Sequence, residues 1–81
     1  MKTLFQSQDR QGFLVLIDTE QPNLESVLYD WLEDKHHDVY YDIELFEGGH
    51  VKLENYSDGK TIQFSGDNGI FILEEVFTEE V

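Results

Sequence analysis

Residues 22–32 read PNLESVLYDWL, and the spacing of their apolar side chains decides the fold class. These side chains recur at i, i+3, i+4, i+7 and i+8, which is one buried stripe of an α-helix: Leu24, Val27, Leu28, Trp31 and Leu32. Asn23 is the predicted N-cap, and Glu25 lies in the first turn, where the helix dipole favours negative charge. The stretch predicts one amphipathic helix that ends near His36-His37.

Apolar segments on both sides of this helix predict strands. Before it, Leu4-Phe5 and residues 13–17 flank a turn over residues 8–12 that ends in glycine. After it, apolar residues alternate with acidic and aromatic ones, which is the period of a strand. The alternating positions are Val39, Tyr41, Ile43 and Leu45.

Gly48-Gly49 predicts a hairpin between this strand and a strand that contains Val51 and Leu53. Directly opposed residues share a face of a sheet, so the faces match only with a three-residue loop, Glu47-Gly48-Gly49. That register predicts five pairs: Leu45 with Val51, Ile43 with Leu53, Glu44 with Lys52, Phe46 with His50, and Tyr40 with Tyr56.

Turns at Asp58-Gly59 and at residues 67–69 predict two further strands. A two-residue turn at Asp58-Gly59 aligns Leu53 with Phe64 and Asn55 with Ile62. Residues 70–73 are apolar throughout, as in a central strand or a contact between two copies, and the acidic tail, 74–81, is expected to fray. The chain is thus predicted to be a single α+β domain over residues 1–81. It has a mostly antiparallel sheet of about five strands with one amphipathic helix on one face, in the order ββαβββ.

The chain is strongly acidic, with 18 Asp and Glu residues against five Lys and Arg, and a formal charge of −13. Ten of these acids lie between Asp18 and Glu47, where Lys35 is the single basic residue. Such a surface repels nucleic acid and anionic membranes, so a basic, nucleic-acid-binding protein is the expected partner. The chain has no cysteine, and its longest apolar run, residues 13–17, is too short to span a membrane. A cytoplasmic protein is expected.

The sequence carries no recognised catalytic motif: there is no GxSxG, no phosphate loop and no HExxH. His36, His37, Asp38 and His50 lack a recognised ligand spacing, and the first two residues lie where a helix dipole favours imidazole. We therefore expect no enzymatic activity, no metal site and no cofactor.

Two surfaces are candidates for partner binding. On the outward face of the predicted sheet, aromatic and acidic side chains are combined: Tyr40, Asp42, Glu44, Phe46, Glu54 and Tyr56. The exposed side of the helix carries Glu25, Tyr29, Asp30, Glu33 and Asp34. Carboxylates ~6–7 Å apart can imitate a phosphate strand, while aromatic side chains supply desolvated anchors. The simpler alternatives are cross-strand pairs that stabilise a hairpin, and a surface that confers solubility.

In size and charge the chain is similar to phage-encoded DNA mimics, namely the uracil-DNA glycosylase inhibitor, anti-restriction proteins and anti-CRISPR proteins. The similarity implies a small inhibitor or regulator that blocks the nucleic-acid site of a basic protein, in the host cytoplasm if a phage encodes it. Two alternatives remain open: an immunity-type protein for a basic nuclease, and an assembly module that self-associates through residues 70–73. A monomer and a homodimer both fit.

Overall fold

The computed structural model describes residues 2–8 and 12–79 of the chain. Its elements follow in the order β1 (Lys2–Ser7), β2 (Leu14–Asp18), α1 (Leu24–Lys35), α2 (His37–Asp42), β3 (His50–Tyr56), β4 (Gly59–Gly66) and β5 (Gly69–Glu79). All five strands form one antiparallel sheet in the order β2-β1-β5-β4-β3. The predicted α+β class and five-stranded sheet are confirmed, but the element order is ββααβββ. Of the first predicted turn, residues 9–11 lie outside the described residues.

Helix α1 begins where the sequence predicts it. Leu28 and Leu32 are buried, and Leu24 and Trp31 pack partly buried against the core. Val27 is 41% exposed, so the buried stripe is narrower than predicted. Asn23 occupies the N-cap position in the left-handed conformation (φ 58°), but its side chain makes no capping hydrogen bond. Asparagine tolerates this conformation better than most residues do.

The prediction of a strand over residues 39–46 is wrong, because residues 37–42 form α2. Val39, Tyr40 and Ile43 are buried, and their i, i+1, i+4 spacing is helical. Tyr41, which the strand pattern places on the buried face, is 59% exposed. The segment fits a period of two and a period of 3.6 equally well, and packing against α1 and the sheet selects the helix.

Helix α2 ends in a left-handed turn at Glu44 (φ 53°). The Leu45 N–H donates to the Tyr40 carbonyl (3.0 Å) and the Glu44 N–H to the Tyr41 carbonyl (3.1 Å), which is the Schellman pattern. Leu45 is thereby turned back into the core, where it is buried. All five pairs predicted for a Gly48-Gly49 hairpin are therefore wrong: Leu45 with Val51, Ile43 with Leu53, Glu44 with Lys52, Phe46 with His50, and Tyr40 with Tyr56.

The β3–β4 hairpin has a two-residue loop, as predicted, but the loop is Ser57-Asp58 rather than Asp58-Gly59. Leu53 consequently pairs with Ile62, and Asn55 pairs with Lys60. The predicted register was displaced by two residues, which leaves each side chain on its predicted face. The next turn lies at Asp67-Asn68, between the paired residues Gly66 and Gly69.

Strand β5 lies at the centre of the sheet, between β1 and β4. This position accounts for the apolar run at residues 70–73, of which Phe71 and Leu73 are buried. Residues 74–79 were predicted to fray, but they continue β5 and pair with β1. The register between β1 and β5 shifts between Leu4 and Phe5, so β5 contains a bulge near Val76.

Both helices cover the same face of the sheet. The strand residues of this face that are buried beneath them are Thr3, Phe5, Ser7, Ile17, Val51, Ile62, Phe64, Phe71 and Leu73. The opposite face, here called the outer face, is not covered by any helix of the described residues. The fold is therefore two-layered, with one side helical and the other an open sheet.

Candidate protein-interaction surface

Residues 24–47, which comprise α1, α2 and the loop after α2, form a surface that we call the acidic layer. Eight carboxylates of this layer are exposed: Glu25, Asp30, Glu33, Asp34, Asp38, Asp42, Glu44 and Glu47. Lys35 is the single lysine and lies 3.7 Å from Asp34, with both side chains mostly exposed. An exposed pair of this kind contributes little to stability. With eight exposed carboxylates and one lysine, the acidic layer has a strong net negative charge.

The predicted acidic side of α1 lines two open cavities. Glu25, Tyr29 and Asp30 contribute to a cavity of about 380 Å³ that extends to Gly49 and His50. A second cavity, of about 610 Å³, is lined by Asp30, Glu33, Asp34, His37 and Tyr41. Asp30 lines both cavities, which therefore adjoin each other along α1, and the two together are here called the acidic groove. Each of the five residues predicted on this side of the helix lines that groove.

Aromatic rings form a cluster beside the groove. The Tyr40 ring lies 5.6 Å from the Tyr29 ring, 5.3 Å from the Tyr41 ring and 5.7 Å from the Phe46 ring, each pair meeting nearly edge to face. The prediction that Tyr40 faces outward is wrong, because this side chain is only 6% exposed. Tyr41 and Phe46 are the exposed members, at 59% and 40%. Sequence reasoning missed Tyr41, which only a helical reading of residues 37–42 places at the surface.

The Tyr29 and Tyr40 hydroxyl groups lie 3.1 Å apart and connect α1 to α2. The hydrogen bond with Tyr29, together with burial and a hydrogen bond with Glu33, raises the pKa of Tyr40 well above its usual range. The phenol of Tyr40 therefore stays protonated, and it holds the two helices in their relative position.

Asp42 and Glu44 join the acidic layer at the end of α2, where the strand prediction did not place them. The β4–β5 turn packs against this end. The N–H groups of Asp67 and Asn68 donate to the carbonyls of Glu44 (3.3 Å) and Ile43 (3.0 Å), and Asn68 Nδ2 donates to the Asp42 carbonyl (3.1 Å). These bonds satisfy carbonyls at the helix end and leave both carboxylates exposed.

Glu54 and Tyr56 lie apart from this surface, on the outer face of the edge strand β3. The Tyr56 hydroxyl donates to Glu54, and Lys52 Nζ lies 2.7 Å from Glu54 Oε1. The sheet surface predicted from the sequence is thus divided. Tyr40, Asp42, Glu44 and Phe46 belong to the helical side, whereas Glu54 and Tyr56 belong to the opposite side.

His36 packs among aromatic rings. The His36 ring stacks on the Phe13 ring, with centroids 4.0 Å apart, and meets the Trp31 ring at 4.9 Å. Within residues 2–8 and 12–79, no three His, Asp or Glu side chains converge as metal ligands would.

Neither described helix has the length and apolar character needed to cross a bilayer. A scan against models of known protein families and searches of curated proteins and of solved structures found no match to this chain.

Proposed function

We propose that the protein is a small acidic inhibitor that blocks the nucleic-acid site of a basic protein, as DNA mimics of the anti-CRISPR and anti-restriction classes do. The observation that carries the proposal is the acidic layer, where eight exposed carboxylates and one lysine share a surface with exposed aromatic rings. A basic protein is the partner to which such a surface is electrostatically complementary.

The distribution of the carboxylates suits a basic groove. Asp30 and Asp34 are one helical turn apart, ~6 Å along α1, and Glu33 lies beside them. A nucleic-acid strand presents one charge per ~3.4 Å of helix axis to its protein. A row of carboxylates with spacing of this order can take the place of several phosphates.

The same carboxylates oppose the stability of the fold. Asp30 and Asp34 in α1 are a like-charged pair at i and i+4, which destabilises by ~0.2–0.5 kcal/mol. A cationic partner that binds along α1 would compensate this repulsion.

Tyr41 and Phe46 supply the apolar part of the contact. Their rings lie 5.5 Å apart, and Tyr41 also lines the acidic groove. Exposed aromatic rings are enriched in protein interfaces, and an Arg or Lys of the partner can lie over a ring while it pairs with a carboxylate. An immunity-type protein for a basic nuclease would use the same surface, and the identity of the partner distinguishes the two functions.

The proposal is tested by capture followed by competition. The tagged protein is used to retain proteins from extracts of its source cell and of that cell's host, and retained proteins are identified by mass spectrometry. The purified partner is then titrated against labelled nucleic acid and this protein. We expect mutually exclusive binding. A partner that holds its nucleic acid and this protein together at saturating concentrations would refute competitive mimicry.

A further inference from the structure

The outer face of the sheet carries an apolar row across its first three strands. In the register of the sheet, Leu16 of β2 is opposite Leu4 of β1, and Leu4 is opposite Phe77 of β5. Leu16 is 54% exposed and Phe77 is 62% exposed, while Leu4 lies partly buried between them. Three neighbouring strands thus present a continuous apolar strip to solvent.

Further apolar side chains are exposed on the two strands that flank β1. Among the described residues, nine large hydrophobic side chains are exposed, and five of these nine lie on β2 and β5: Leu14, Leu16, Ile70, Val76 and Phe77. A contiguous apolar patch on a soluble monomer commonly marks an interaction site. The contiguous part of this surface, the row of Leu16, Leu4 and Phe77, is therefore a candidate interaction site.

The charge on the outer face favours a second copy of this chain as the partner over a basic protein. The register places two lysine and four acidic positions on the outer face: Lys2, Lys52, Asp18, Glu54, Glu74 and Glu79. The formal charge of these positions is −2, whereas the acidic layer, with eight carboxylates and one lysine, has a formal charge of −7. A basic protein has little electrostatic reason to bind here. Lysines and carboxylates on one surface can pair across a self-complementary contact between two copies.

Repulsion between two acidic copies is small when their outer faces meet. If two outer faces meet, the sheets pack ~10 Å apart and the acidic layers lie on opposite sides of the pair. Each acidic layer is then separated from the other by both sheets, more than ~20 Å, which is about twice the screening length at 0.1 M salt. Any contact through the acidic layers would bring two surfaces of strong net negative charge together.

We propose that the protein forms a symmetric homodimer, sheet against sheet, with Leu4, Leu16 and Phe77 near the centre of the contact. The resulting dimer presents an acidic layer on each of its two outer sides. This inference does not depend on the proposed function, because it rests on the side of the fold opposite the acidic layer. It also differs from pairing between strand edges, since β5 is already paired on both sides.

The test is the molar mass of the purified protein, measured by light scattering and sedimentation equilibrium at ionic strengths from ~0.01 to ~0.1 M. We expect a dimer whose dissociation constant falls as salt screens the repulsion, the opposite of the salt dependence expected for binding to a basic partner. A monomer across the whole series, at concentrations up to about 1 mM, would overturn the proposal.

Two matched variants locate the contact. Leu16→Lys and Val27→Lys each place a lysine at an exposed apolar position, the first on the outer face and the second on α1. Leu16→Lys should raise the dissociation constant at least tenfold, while Val27→Lys should leave it unchanged or lower it. Leu16→Thr, which keeps β propensity, replaces Leu16→Lys if circular dichroism shows that the lysine variant is unfolded. Equal weakening by the outer-face and α1 variants would refute the assignment.

Discussion

Gly66 lies directly against the backbone carbonyl of Ile43, so that a Cβ atom on Gly66 would come 2.0 Å from that oxygen. The same oxygen accepts a hydrogen bond from the Asn68 N–H. The close approach therefore lets the β4–β5 turn satisfy carbonyls at the end of α2. Through this contact the sheet fixes the position of α2, and with it half of the acidic layer.

Gly66→Ala should lower the free energy of unfolding by ~2 kcal/mol or more, because the added methyl group meets backbone and not a flexible side chain. Urea denaturation measures the change. Gly48→Ala is the control: Gly48 has φ 105° but no atom within 4 Å of the added Cβ, so only a backbone cost of ~1 kcal/mol is expected. Equal losses in the two variants would show that the Gly66 contact does not matter.

Glu44→Gly should stabilise the protein by ~0.5–1 kcal/mol. Glu44 has φ 53°, which is unfavourable for a residue with a side chain, and glycine is the usual residue at this position of a Schellman turn. Glu47→Gly removes the same charge from the loop after α2, where Glu47 has no positive φ, and it should be neutral or destabilising. A similar gain in both variants would assign the effect to charge instead of backbone conformation.

The sequence predicted α1 because its apolar period extends over more than two turns and excludes a strand. It also predicted the buried side chains of β3 and β4, namely Val51, Ile62 and Phe64, because the error at the Asp58-Gly59 turn was two residues and parity survived. It failed at α2, where six residues satisfy both periods. The αL residue that ends α2 is a glutamate, so the signal that usually marks a helix end was absent.

The sequence predicted one part of the candidate surface and missed the rest. Glu25, Asp30, Glu33 and Asp34 follow from the period of α1 and lie together as expected. Phe46 lies beside them because the chain reverses direction after α2, and the local sequence pattern does not predict this reversal. The apolar row on the outer face could not be predicted, because it depends on β2, β1 and β5 being neighbours in the sheet. The central position of β5 follows from the topology of the whole sheet, and residues 70–73 alone do not determine it.

Ionisation of Tyr40 should destabilise the fold at alkaline pH. The hydrogen bond with Tyr29 and burial raise the pKa of Tyr40 in the folded state above its unfolded value of about 10. A raised pKa contributes stability that is complete below pH ~10 and is lost as the pH rises beyond it. Tyr40→Phe should therefore flatten the alkaline decline in urea midpoint, at a cost of ~1 kcal/mol near neutrality.

The control for this experiment is Tyr41→Phe, which also removes one phenol hydroxyl but from a side chain that is 59% exposed. This variant should keep the alkaline decline of the unsubstituted protein. If Tyr40→Phe loses stability with pH as steeply as the Tyr41 variant does, ionisation of Tyr40 is not the cause.

The melting temperature should rise from low salt to a few hundred millimolar NaCl. With a net charge of −13, repulsion within the folded chain is strong, and salt shortens its range to ~10 Å at 0.1 M. Differential scanning calorimetry gives the slope. Asp58→Lys/Glu74→Lys, which reverses two exposed acids outside the acidic layer, should reduce that slope. A flat or falling curve would mean that specific ion pairs outweigh the general repulsion.

Charge reversal in the groove should slow association with the captured basic partner. Asp30→Lys/Asp34→Lys removes two carboxylates that line the cavity beside Tyr41, and we expect an association rate at least ~10-fold lower with a weaker salt dependence. Asp58→Lys/Glu74→Lys changes the net charge by the same amount at exposed positions outside the acidic layer. Stopped-flow kinetics compares the two. Because steering depends on where charges face the partner, only the groove variant should show the full loss; equal slowing would reduce the role of the acidic layer to net charge alone.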